Sequence, residues 1–546
     1  MTTSATTSDA LLASLDDKQR AAVESRARTL LVLSGPGSGK SRVITSRIVH
    51  LLQERMVPSH QVACFVFSRA AAAEVRARVV ASVGEELAAL LTVSTFHAFA
   101  MRVLRACPAE YLRRVRWPES PWRAADDAEA DEALKSLFRS KGPEARPEVR
   151  KTNITAVRAA STTHAAHGRW GQGPQWDVLR LWWNRLAERR LVAHDRLIPA
   201  ALAAIDADRS ARRHVEDLRF VLVDEAHDLT STEWNLACAP ERAGSDLSMT
   251  VVGDARQAIY GWRGAHFFLD LLANLREGPL PKGYEIVLLE RSYRCREAVA
   301  AFANGIGRVL GVGAPILAAP GESSVQQGLD RASLREVVAG LAARFGPGQV
   351  VVLARTNREC GQAAADLGPD LCRLIRREPD EALRVGTAAL RLEHSPIDDA
   401  AARLLLSAMG WTEEQVRRAE GLAGAARGLW EQAGLEAMDS WAPLLRAPSY
   451  ALDALRTALG DAWLTRPTED LLTELGERQE ADQFAEAAAD GKVAVSSIHG
   501  AKGLEFDAVV LLTSKDWPGP RPKPDELRVL FVAATRAKCV LAILEE

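Results

Sequence analysis

The sequence predicts an α/β protein built from two doubly wound parallel-sheet domains, each carrying a mainly helical insertion. Short β-branched runs recur, each followed by helical spacing, which is the order of parallel strands covered on both faces. Two long stretches, 108–216 and 385–487, break that alternation with helical patterns of their own. A glycine-rich loop also separates the first strong strand from its helix, at the sheet edge where such folds bind ligands.

In chain order, LLVLS (30–34), VACFVFS (62–68), LTVSTF (91–96), FVLVDE (220–225) and MTVVGD (249–254) are expected to be buried parallel strands of the first domain. A second series is expected from EIVLLERS (285–292), VVVLARTN (350–357), VAVSSIH (493–499), DAVVLL (507–512) and CVLAIL (539–544). The expected division is 1–107 with 217–284 for the first domain and 285–384 with 488–546 for the second. The insertions then occupy 108–216 and a shorter 385–487. The four prolines of WPGPRPKPD (517–525) indicate an extended surface loop, and the first ten residues a loose tail. No solenoid-length repeat is evident.

At 546 residues the chain has room for two to four domains, and 47% hydrophobic residues are enough to fill their cores. A net charge of −2 neither supports nor excludes a nucleic-acid partner, because a groove can be basic on a neutral protein. Seven cysteines without a C-x-x-C pair argue against a metal cluster or disulfide framework. The N-terminal residues carry no secretory pattern, and no apolar run reaches membrane-spanning length, so a cytoplasmic protein is expected.

SGPGSGKS (34–41) lies between a strand and a helix. Its glycines let backbone N–H groups of Gly35, Pro36-flanking Gly37, Ser38 and Gly39 face one phosphate, and the helix start adds its dipole. Lys40 is expected to reach the β/γ-phosphates of ATP, and the Ser41 hydroxyl to bind Mg²⁺. Ser34 stands where the strict pattern has glycine. Asp224 and Glu225 end an apolar strand beside this loop: Asp224 is the expected metal holder, and Glu225 the expected base for the attacking water.

The remaining motifs are more specific. LDDKQRAAVES (15–25), TFHAFAMRVLRA (95–106), GDARQAIYGWRGA (253–265), LERSYRCREAVAAFAN (289–304), SSIHGAKGLEFDAVVLL (496–512) and LRVLFVAATRAKCVLAIL (527–544) occur in order. Across nearly its whole length the chain closely resembles the UvrD, Rep and PcrA family of superfamily 1 DNA helicases. The resemblance implies two RecA-like domains with ATP between them. It implies that Gln19 meets the adenine edge, that Tyr293 and Arg42 sandwich the ring, and that Glu505 holds the ribose. Gln257 would sense the γ-phosphate, and Arg294 and Arg536 would act as arginine fingers. Single-stranded DNA would cross both domains, with Trp262 and Phe67 stacking on bases and Tyr260 beside them. Arg69, Thr95, His97, Arg263 and His499 would complete that DNA face.

The chain departs from the common family text at His227, where glutamine is usual, at Arg69 in place of asparagine, and at Ala258 in place of a frequent serine. His227 is expected to gain a proton near neutral pH and so to tune coupling between hydrolysis and DNA. The basic run Arg102, Arg105, Arg113, Arg114 and Arg116 near Trp117 and Trp122 fits either a nucleic-acid face or a solvated helix over packed tryptophans. Three functions follow. The first is an ATP-driven 3′-to-5′ translocase on single-stranded DNA that separates duplex, in repair, recombination or replication. The second, motivated by the short second insertion and the absent C-terminal tail, is a motor with weak unwinding that works with a nuclease or repair partner. The third, a non-catalytic DNA-binding module, conflicts with the complete set of phosphate-handling residues.

Overall fold

The computed structural model describes residues 12–120, 122–139, 146–375, 385–389, 404–405, 451–452, 455, 481–514, 517–519 and 521–545. The apolar runs form two six-stranded sheets, parallel throughout. From edge to edge, the first sheet contains Thr92–Thr95, Val62–Val66, Phe220–Val223, Ser248–Gly253, Thr29–Ser34 and Tyr284–Leu289. The second contains Ser324–Asp330, Ala537–Glu545, Phe506–Leu512, Val350–Ala354, Val493–Ser497 and Cys372–Leu374.

Continuous apolar strands suit sheets with helices on both faces, because alternate side chains enter different cores. Leu31 belongs to one core of the first sheet, while Leu30 and Val32 belong to the opposite one. Val351 and Leu353 of the second sheet face one core, and Val350, Val352 and Ala354 face the other. Strand order jumps within each sheet, so crossovers leave crevices at the carboxyl ends of the strands. The first crevice holds the glycine-rich loop, and the second domain closes over it.

One strand assignment is corrected. The run 285–292 was expected in the second domain, but Tyr284–Leu289 pairs with Thr29–Ser34 and completes the first sheet. It is an edge strand with one neighbour and alternating exposure, and sequence periodicity carries no information about which sheet such a strand joins. The chain crosses to the second domain only after it, through the strand Arg291–Arg296, which pairs with Leu317–Ala319. The polar edge strands Ser324–Asp330 and Cys372–Leu374 lacked an apolar run and were not anticipated.

The described residues of 108–216 fold mainly as helices, with a two-stranded pairing of Arg123–Ala124 with Leu191–Val192. Their own core contains Trp176, Trp182 and Trp183. Trp117 and Trp122 are buried edge to face, with Arg196 stacked on Trp117 and Arg105 on Trp122. That is the packed-tryptophan alternative, with guanidiniums covering the rings. Most of the expected second insertion, 385–487, lies outside the described residues, as does the N-terminal tail 1–11. Pro524 of the proline-rich segment does not extend a loop; it opens the helix Pro524–Ala534, where its missing N–H costs nothing. All seven cysteines are free, and six are buried.

Arg47 shows how the first domain is tied together. Its fully buried guanidinium donates to Thr250 Oγ1 and to the carbonyls of Ala22 and Val23, joining the end of helix Asp17–Glu24 to the sheet. Replacing it leaves two buried carbonyls without donors. Arg47→Met should therefore lower unfolding free energy by about 2–4 kcal/mol, read as a reduced midpoint in urea denaturation.

Candidate active site

The glycine-rich loop leaves the strand Thr29–Ser34 and enters the helix Lys40–Gln53, whose first-turn N–H groups open onto the loop. Gly37 and Gly39 have φ of +67° and +80°, the left-handed region that disfavours side chains. A Cβ on Gly37 would also lie 2.3 Å from the Arg294 Cβ, so the second domain touches this loop directly. Ser34 is accommodated because it is small and its hydroxyl donates to Gly253 O at 3.2 Å. The buried Ser38 hydroxyl has no protein partner. An anion with several acceptor oxygens suits such a cradle.

The second domain grips the loop from the segment Arg291–Arg296. Tyr293 N–H donates to Gly37 O at 2.8 Å, and the Ser292 hydroxyl donates to Pro36 O at 2.8 Å. The three residues expected around an adenine converge on one stretch. Gln19 Nε2 donates to Ser38 O at 3.0 Å, while its Oε1 accepts from Asp16 N–H. The half-exposed Tyr293 hydroxyl donates to Asp16, and Arg42 donates to Ser14. Asp16 and Ser14 were not anticipated; they position the expected residues.

Asp224 and Glu225 lie where the strand Phe220–Val223 ends. Glu225 N–H donates to Asp224 Oδ1 at 2.8 Å, which fixes the pair, and Glu225 takes a left-handed φ of +48°. Lys40 Nζ is 3.3 Å from Glu225 Oε2. Burial and the neighbouring Glu225 charge push the Asp224 carboxyl up to about 7. Burial opposes ionisation of Glu225 as well, but Lys40, His227 and Lys502 outweigh it and hold that carboxyl well below its usual range. A buried carboxylate with a raised pKa fits a divalent cation, which would stabilise its charged form; Ser41 lies in the first turn of the adjoining helix.

On the opposite side, Gln257 bridges the domains. Its Nε2 donates to Asp254 Oδ2 at 3.0 Å, and its Oε1 accepts from Arg536 Nη2 at 3.1 Å. Burial, with Arg294 nearby, lowers Arg536 to about 9, which still leaves it cationic at neutral pH. Arg294 donates to Glu505 at 2.6 Å and to Thr535 O. Glu505, expected to hold a ribose, is thus engaged by Arg294 and Lys538.

Lys502 is the residue that sequence reasoning missed. A lone lysine between the glycines of SSIHGAKGLEF (496–506) was the available signal. Its Nζ lies 2.5 Å from Asp228 Oδ2, 3.1 Å from Gln257 O, 3.3 Å from His227 Nε2 and 4.7 Å from the centre of the Tyr260 ring. One ammonium from the second domain therefore touches the carboxylate segment, Gln257 and an aromatic face.

That face begins at Tyr260, which stacks on Phe67 at 5.5 Å and lies 6.0 Å from His499 and 6.3 Å from Trp262. Trp262 is 70% exposed, unusual for a large apolar ring. Arg263 lies over both Phe67 and Tyr260 and is paired with Glu233. Arg69 opens the helix that follows Phe67. Thr95 is buried, and its oxygen caps the helix Phe96–Arg105. His97 packs against His194; burial, His194 and Arg263 push it down to about 3, so it offers no cation to a phosphate.

His227 is corrected. Its ring is fully buried, and Nδ1 accepts from Asp254 N–H at 3.1 Å, so the neutral ring carries its proton on Nε2. Nε2 is 3.5 Å from Glu225 Oε2. Burial lowers its pKa to about 4, with Lys502 and Lys40 opposing a second proton. The expected titration near neutral pH is therefore absent.

Residues 15–274 match the model of the UvrD/REP helicase N-terminal domain, and residues 464–545 that of the UvrD-like helicase C-terminal domain. The chain belongs to the UvrD-like helicase family. It is 28% identical to the ATP-dependent DNA helicase UvrD2 of Mycobacterium tuberculosis, over 98% of this chain and 79% of that protein. It is 28% identical to the ATP-dependent DNA helicase PcrA of Leuconostoc citreum, over 54% of this chain and 39% of that protein. With UvrD1 of M. tuberculosis the identity is 30%, over 55% and 40%. Among the described residues no helix is long and apolar enough to cross a membrane.

Two outcomes follow from the pKa shifts. Because His227 stays neutral from pH 6 to 8, the ratio of ATPase rates of His227→Gln and the unsubstituted protein should be flat across that range. Asp224 has a folded pKa raised from 3.8 to about 7, so folding favours its protonated form, and that stabilisation is lost as pH rises through about 7. In magnesium-free buffer, Asp224→Asn should therefore gain melting temperature relative to the unsubstituted protein as pH goes from 5 to 8. Titrations of groups remote from Asp224, being common to both proteins, cancel in the difference.

Proposed function

We propose that this chain is an ATP-dependent motor that translocates along single-stranded DNA, 3′ to 5′, and separates duplex at single-strand/duplex junctions. The observation that carries the reading is the position of Lys502, in contact with Asp228 and Gln257 on the nucleotide side and with Tyr260 on the aromatic side. A change in how the domains close at the phosphate loop must move this ammonium, and with it the aromatic face.

In this reading ATP occupies the cradle of Gly35–Ser41 with its adenine among Gln19, Arg42 and Tyr293. Mg²⁺, held by Ser41 and Asp224, would neutralise phosphate charge. Glu225 is the base: it is ionised, and its Lys40 partner would turn toward the phosphates and free it to accept a proton from water. Arg294 and Arg536 reach the site from the second domain and stabilise charge on the transferred group. Gln257, joined to Arg536 and through its carbonyl to Lys502, reports the state of that group to the DNA side. Phe67, Tyr260, Trp262 and His499 supply ring faces for successive bases, which tolerate any sequence. We place the protein in the cytoplasm, acting in DNA repair, recombination or replication.

ATP hydrolysis measured with and without single-stranded DNA tests the reading. DNA should raise turnover strongly, and Lys40→Ala should abolish it. Glu225→Gln should bind ATP and DNA but lose at least about 100-fold in turnover, the usual contribution of a positioned general base. Trp262→Ala should raise the DNA concentration for half-maximal stimulation roughly 5- to 100-fold, one stacked base, without changing nucleotide affinity. Failure of every nucleic acid to stimulate turnover would overturn the proposal.

A further inference from the structure

The helical segment 108–216 contains a cavity of about 340 Å³ that the site above does not use. Among the residues lining it are Arg116, His164, Trp170, Arg180, Trp183 and Arg196, and none is a carboxylate. Its volume is in the range of sites that hold small ligands, ~300–1,000 Å³.

One buried donor of its wall lacks an acceptor. Trp183 is 6% exposed, and its indole N–H has no hydrogen-bond partner. Such an orphan is costly unless a ligand supplies an acceptor. Arg196 lies between the Trp117 and Trp183 rings, 4.6 and 5.2 Å from their centres, and donates only to the carbonyls of Val115 and Arg116. Burial alone lowers it to about 10; no carboxylate offsets its charge. Arg116 is exposed at the rim and held by its backbone at φ +53°. Trp170 is 44% exposed, with Arg180 stacked over it at 4.4 Å. Arg180 alone of the three arginines pairs with an acid, Asp177.

A ligand that satisfies this wall is flat, anionic and rich in acceptors. We propose that the cavity takes one nucleotide unit of a DNA strand, the phosphate meeting Arg116 and Arg196 and the base lying against Trp170 with a carbonyl acceptor toward Trp183. The location favours a strand over a free nucleotide. Helix Ile154–His167, which carries His164, packs on the loop bearing Trp262: a Cβ on Gly264 would lie 2.5 Å from the Ala166 Cβ. Thr232 also donates to Ala165 O, tying the same helix to the segment after the carboxylates. A strand leaving Trp262 therefore has this cavity as its neighbour.

The inference rests on the DNA-binding function proposed above, and binding assays separate the two. Labelled oligothymidylate is titrated against Arg116→Ala, Trp170→Ala, Trp183→Phe and Trp262→Ala, with dTMP and inorganic phosphate as competitors. Arg116→Ala and Trp170→Ala should each weaken oligothymidylate roughly 10-fold, and Arg116→Ala should also flatten the salt dependence by about one counterion. Trp183→Phe removes the indole N–H together with the five-membered half of the ring, and should weaken binding by at least roughly 3-fold. Affinity for a fluorescent ATP analogue should not change, and strands containing 5-iododeoxyuridine should photo-cross-link to Trp170. Unchanged oligothymidylate affinity in the three cavity variants, with loss in Trp262→Ala, would overturn this site and leave the motor intact. Competition by dTMP or phosphate as effective as that of the strand would show a free small anion and overturn the strand assignment. No binding of any strand by the unsubstituted protein would sink both proposals.

Discussion

The contact on which the rest of the site depends is the one between Lys502 and Asp228. Both groups are nearly inaccessible to water, and burial lowers the Lys502 pKa despite its acidic neighbours. Each charge is tolerable only because the other is present. Lys502 comes from the second domain and Asp228 from the segment just past Glu225 in the first, so the pairing exists only when the domains are docked. His227, Gln257 and Tyr260 then gather round the same ammonium. Removing one member strands the others, which makes the cluster behave as a unit.

This arrangement gives His227 a structural logic that its sequence position alone does not. The ring is used at both nitrogens: Nδ1 accepts from the Asp254 backbone and Nε2–H faces Glu225. A glutamine also carries one acceptor and donors, so it fits the same two demands. Chargeability is a property of free imidazole, and burial beside two lysines removes it here. The side chain holds two loops in register.

Much of the fold and of the glycine-rich loop's geometry was legible in sequence because both are local. Apolar runs such as 30–34 and 350–354 specify strands buried on both faces, and a glycine loop followed by Lys40 needs only its own neighbours to form. What escaped was nonlocal. Tyr284–Leu289 is a plain strand whose sheet is chosen by a partner more than 250 positions away. Lys502 is one lysine among many until Asp228 is seen against it. The tryptophans at 117 and 122 have the composition of a binding face and the burial of a core, and only packing separates those outcomes.

The polar interface also explains how such a site can be both assembled and mobile. Lys40 pairs with Glu225 inside the first domain and Arg294 with Glu505 inside the second, while Arg536 meets Gln257 across the two. In the proposed function each of these donors meets phosphate instead. A triphosphate would therefore exchange partners within the interface, offering charge-assisted acceptors in place of protein ones. Exchange of nearly equivalent bonds has a small net free energy, whereas an apolar interface of the same size would hold one geometry. The raised pKa of Asp224 points the same way, since it is an unfavourable feature that a bound cation would relieve. A motor needs an interface whose preferred geometry depends on what lies between its halves, and cationic donors presented from both halves supply that dependence.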